Sequence, residues 1–88
     1  MAHNYLKNKI FQVLKSFYFK ESEDLVDVSD GSGDYIHLVI VSRKFDGLRL
    51  KEKNNLIWSQ LMKNLAPEEW GNISLSVGLS PEELKAVV

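Results

Sequence analysis

Five cations crowd one short stretch of this chain. Arg43, Lys44, Arg49, Lys51 and Lys53 stand against only Asp46 and Glu52, a local net charge of +3. Guanidinium and ammonium groups near the start of a helix can hold phosphate or a partner's carboxylates. The plainer reading is a solvated loop-and-helix face, whose reach is about one Debye length. The stretch "GLRLKEKN" lacks the Gly-Lys-Ser/Thr ending of a phosphate-binding loop. It also lacks the second glycine of the GXXG clamp that nucleic-acid-binding KH domains use.

The other reactive side chains are scattered. His3 and His37 lie far apart with no positioned serine or cysteine, so no catalytic triad can be assembled. His37 shares a strand face with Val39 and Val41 and reads as a structural histidine. Asp27, Asp30 and Asp34 lack the alternating ligands and distal glutamate of a calcium loop, and turn chemistry accounts for them. No set of nucleophile, base and orienting group emerges, so a non-enzymatic protein is expected. Trp58 fits the inner stripe of a helix. Trp70 sits in a connector beside Asn72 and is a candidate binding anchor.

The elements that must position these groups follow from periodicity. Leu6, Ile10, Val13, Leu14 and Phe17 recur at helical spacing, which predicts a first helix over Ala2–Phe17. Val26 and Val28 point to one face of a short strand, Leu25 and Asp27 to the other. Asp30-Gly31 then signals a hairpin turn needing positive φ. "YIHLVIVS" is apolar on both faces and predicts a central strand. At the corner, Phe45 is expected to plug into the core and Gly47 to permit a left-handed turn. From Leu48 to Leu65 the pattern is helical, with Asn54, Ile57, Trp58, Leu61, Met62 and Leu65 as its stripe. Pro67 opens a short helix that Gly71 or Asn72 stops. "ISLSVGL" alternates, which predicts Ile73, Leu75, Val77 and Leu79 inward and the serines outward. Ser80, Pro81 and Glu83 form a capping box for a last helix.

The order is α-β-β-α-α-β-α: an α+β single domain spanning residues 1–88, with a three-stranded mixed sheet and helices packed on one face. A right-handed crossover should return the third strand parallel to the second. The net charge of −1 makes no global case for nucleic acid or membrane. With no cysteine there is no disulfide and no thiolate ligand. No apolar run approaches the roughly 20 residues that span a bilayer. The first residues lack a secretory leader's apolar core, so a cytoplasmic location is expected.

"DLVDVSD", "IHLVIVSRKFDGLRL", "LIWSQLMKNL" and "SPEEL" together resemble the BolA-like family over nearly the whole chain, Leu6 to Leu84. The most specific part is Val41-Ser42 followed by Phe45-x-Gly47 and the helix. The resemblance implies a fold akin to type II KH domains and a non-enzymatic binding module. It also implies pairing with a monothiol glutaredoxin around a shared [2Fe-2S] cluster, in iron handling or redox stress response. The candidate contact residues are Arg43, Lys44, Arg49, Lys51, Lys53, Asn54, Trp70 and Asn72. The family's Arg-His-Arg at the helix start is Lys53-Asn54-Asn55 here. Its cluster-ligating histidine aligns with Asn72. Its loop cysteine or histidine falls within Asp30–Asp34, which contains neither. A neutral amide is a poor cluster ligand, so this chain alone is expected to bind no cofactor. The protein is expected as a monomer or weak homodimer. The alternative is a KH-like nucleic-acid-binding or transcription-regulating module using the basic stretch 43–53.

Overall fold

A computed structural model describes residues 4–87. The start of the predicted first helix and His3 lie outside them. Helix α1 (Asn4–Phe17) buries Leu6, Ile10, Val13 and Leu14. Strand β1 (Leu25–Asp30) buries Val26 and half-buries Val28, and leaves Leu25 and Asp27 exposed, as the alternation predicts. Strand β2 (Ile36–Val41) is central in the order β1-β2-β3. It pairs antiparallel with β1 and parallel with β3 (Ile73–Leu79). Helix α2 (Leu50–Asn64) supplies the crossover, α3 (Pro67–Trp70) is a single turn, and α4 (Pro81–Val87) follows β3. The α+β order and mixed sheet are therefore those expected from sequence.

The core lies between the sheet and helices α1 and α2. Ile36, Leu38 and Ile40 of β2 are fully buried on that side and meet Ile10, Leu14, Ile57 and Leu61. At the corner a 3-10 turn over Arg43–Phe45 is capped by Ser42, whose Oγ accepts from the Lys44 N–H at 3.1 Å. Phe45 is 1% exposed and its ring centroid stands 5.6 Å from that of Phe19. Gly47 then takes φ of 74°, the left-handed conformation expected of it.

Two local expectations are overturned. In the hairpin the positive φ falls on Gly33 (58°), not on Gly31. The turn is longer than a two-residue one: Gly31 donates to Tyr35 O and Tyr35 donates to Ser32 O. The larger correction concerns β3. Ile73 pairs with Ile36, but the register shifts there, and His37 pairs with Leu75. The extra residue inverts every side chain after it. Ser76 and Gly78 now face the helices, while Leu75, Val77 and Leu79 share the outer face with His37, Val39 and Val41. The face expected to be serine-rich is thus apolar. Two contacts hold this register. Trp58 Nε1 donates to Ser76 Oγ at 3.0 Å, and Gly78 lies so close beneath Phe45 that an added Cβ would be 3.0 Å from its Cζ.

Candidate functional site

The predicted site residues divide between the two ends of the sheet. Arg43 and Lys44 follow β2 and, with Arg49 and Lys51, are exposed near the start of α2. Lys44 Nζ stands 4.8 Å over the Tyr18 ring, a cation–π contact. The Arg49 N–H is held by Glu52 Oε1 at 2.7 Å, which frames the first turn of α2. Trp70 and Asn72 lie at the other end, where β3 begins. Strands of this length, rising about 3.3 Å per residue, put close to 20 Å between the groups. One contiguous patch does not contain both.

Lys53 leaves the basic set altogether. It is 5% exposed and its Nζ meets Glu83 Oε1 and Oε2 at 2.5 and 2.6 Å. Ile57, Leu61 and Leu65 are buried and Trp58 packs on the core as expected, but Lys53 joins the buried stripe and Met62, expected in it, is 56% exposed. Long lysine stems can cover apolar surface while the ammonium reaches a partner. Glu83 is the last helix's capping-box residue as well, accepting from the Ser80 N–H at 2.8 Å while Ser80 Oγ accepts from the Glu83 N–H at 3.2 Å. One carboxylate therefore ties α2 to α4 and caps α4. Without Lys53 the exposed corner keeps four cations and two anions.

The Lys53 ammonium, and next the Ser80 N–H, hold the Glu83 carboxyl below its ordinary value of about 4.5. A depressed folded-state value means stability that is present above the unfolded value and lost as pH falls through the folded one. Glu83→Gln is therefore expected to be less stable than wild type at neutral pH and to have a flatter stability profile below about pH 4.5. Urea midpoints across the acid range would show it. Curves that stay parallel down to the acid limit would remove Glu83 as a source of acid lability.

Asn54 is half-buried, and its Oδ1 is enclosed without a hydrogen-bond partner. It is not presented as a surface contact. Trp70 is half-buried too, packed edge-on against Trp58 with ring centroids 5.9 Å apart. It helps close the core while one side stays accessible.

At the hairpin end, residues distant in sequence converge. Ile36 N–H donates to Asn72 O at 2.9 Å, so the start of β3 lies beside the Gly31–Tyr35 turn. Two ion pairs fasten α1 here: Lys7 to Asp30 at 2.9 Å and Lys9 to Glu69 at 2.6 Å. Each lowers its carboxyl's pKa. Asn72 Nδ2 donates to Glu68 O at 2.7 Å and so caps the end of α3. His37 is half-buried with its ring against Gly31, where a Cβ would stand 2.6 Å from Nε2. Its packing role agrees with the structural reading. Sequence reasoning gave no sign that His37 shapes this turn, because the contact depends on the cross-strand register.

The donor set at this end does not suit an iron–sulfur cluster. The Asn72 amide is engaged by α3, the turn itself offers hydroxyl, carboxylate and backbone groups, and the one imidazole at this end, that of His37, is packed against Gly31 with no thiolate beside it. Among the described residues no group of three histidine, cysteine or acidic side chains could hold a metal ion. No helix among them is long and apolar enough to cross a membrane. No family model, curated protein or solved structure matches this chain.

Proposed function

We propose that this protein is a BolA-like, non-enzymatic binding module that docks a monothiol glutaredoxin-type partner through its hairpin end. The reading rests on one observation: the Gly31–Tyr35 turn and Asn72 lie side by side, joined by the Ile36–Asn72 hydrogen bond, with Trp70 half-accessible next to them. These are the positions where the resembled family carries its loop and strand ligands. Here they supply surface without a ligand, so any cluster stays on the partner's and glutathione's thiols. The role that follows is recognition of the loaded partner in iron handling or redox stress response.

The test is to titrate the labelled protein with a [2Fe-2S]-loaded monothiol glutaredoxin. Amide shifts are expected at residues 31–35, Trp70 and Asn72, with little change in the partner's visible circular dichroism. Asn72→His restores an imidazole at the aligned position, and the cluster's spectrum should then change on mixing. If wild type produces no shifts at high micromolar concentration, the docking proposal is wrong. If Asn72→His docks but leaves the spectrum unaltered, the assignment of that position is wrong.

A further inference from the structure

Strand β1 is an edge strand, and its free edge opens into a groove of about 460 Å3 beneath helix α1. The walls include Lys7, Asn8 and Phe11 of the helix and Val26, Asp27 and Val28 of the strand, and the Lys7 ammonium there is committed to Asp30. Which backbone groups face the groove follows from the ladder. Gly31 N–H donates to Tyr35 O across the hairpin. In an antiparallel pair the bonding residues alternate, so Ser29, Asp27 and Leu25 bond β2. Val26 and Val28 therefore turn their N–H and C=O outward, into the groove. No hydrogen bond among the described residues engages those groups. Such groups form a template for another strand.

Open edges are often blunted by charge, and Asp27 and Asp30 could serve only that purpose. Two features argue for more. The edge is recessed beside a helix, the geometry in which added strands are held by main-chain bonds and selected by alternate side chains. The charges also differ in state. Asp30 is paired with Lys7, whereas Asp27 is exposed and has no ion pair among the described residues. An uncommitted carboxylate beside unbonded backbone groups selects a cation on the incoming strand.

We infer that the groove between α1 and β1 accepts an extended segment of a partner protein with an apolar-basic-apolar pattern, added as a fourth strand. Residues opposite Val26 and Val28 exchange main-chain bonds and direct their side chains toward Phe11, which is 37% exposed. The residue between them stands opposite Asp27, at a non-hydrogen-bonded position where side chains lie closest. Lysine or arginine there meets the free carboxylate. Self-pairing of β1 in the same register would set Asp27 against its own copy, which disfavours a second copy as the occupant.

The experiment uses the full chain and an acetylated, amidated Ser-Val-Lys-Val-Ser peptide, with no glutaredoxin present. Its outcome is thus separable from that of the docking proposal above. Amide shifts are expected at Val26, Asp27 and Val28 and along the exposed side of α1 at millimolar peptide. A peptide N-methylated at both valines keeps its charge and side chains but has methyl groups in place of the donors, and should bind on the order of tenfold or more weakly. Asp27→Asn should weaken the parent peptide about two- to fivefold. Equal affinity for the methylated peptide, shifts scattered away from β1, or no shift at all would each overturn the inference.

Discussion

Phe45→Ala should remove about 3–5 kcal/mol of folding stability, the usual cost of emptying a buried aromatic site. An 88-residue chain has roughly 4–13 kcal/mol to lose at the general value per residue. The ring is 1% exposed and sits among Phe19, Ile57 and the Gly78 backbone. None of these can collapse into the space, because Phe19 and Ile57 are themselves fully buried and Gly78 has no side chain to move. With a urea slope of about 1 kcal/mol/M for a domain of this size, the midpoint should fall by about 3 M or more. Leu50→Ala, at a 71% exposed position in the first turn of α2, should move it little. A loss below about 1 kcal/mol for Phe45→Ala would mean that the corner is not fastened through this ring. The consequence reaches the surface: Arg43 and Lys44 belong to the turn that Phe45 anchors, so their placement should be lost with it.

Gly78→Val should destabilise by about 1–3 kcal/mol through overpacking, although valine is the better strand former by up to about 1 kcal/mol. The Cβ alone would come within 3.0 Å of Phe45 Cζ and 3.1 Å of Ile57 Cδ1, and the two methyl groups add to this. Both neighbours are fully buried, so neither is free to swing away. Leu75→Ser is the companion measurement. Leu75 is 46% exposed on the outer face, and its loss should cost less than about 1 kcal/mol. An unbroken alternation along β3 would reverse both results: the glycine would face solvent and tolerate valine, and the leucine would belong to the core. Chemical-denaturation midpoints for the two variants therefore test the register shift near Ile73.

What could be read from the sequence was local. Helix α1 was legible because its apolar residues repeat at 3.6 over several turns and need no distant partner to define the buried face. The capping box at Ser80 and Glu83 was legible because its atoms are three residues apart. The centrality of β2 followed from apolar residues on both faces, and the parallel return of β3 from the long helical crossover between the two strands. The outcome differed wherever a side chain's neighbour is set by another element. β3 alternates cleanly in sequence, yet one inserted residue turns Ser76 toward Trp58 and Gly78 toward Phe45, and the bulky partners decide that phase. Lys53 reads as one more surface cation until Glu83, thirty residues later, is brought to it by the α2–β3–α4 path. The candidate contact residues look like one cluster in a list and lie at two ends of a sheet in space. Composition and periodicity thus determined which elements form and in what order. Only the packed structure decided which faces they show, because register and burial are properties of pairs of elements and no single segment encodes them.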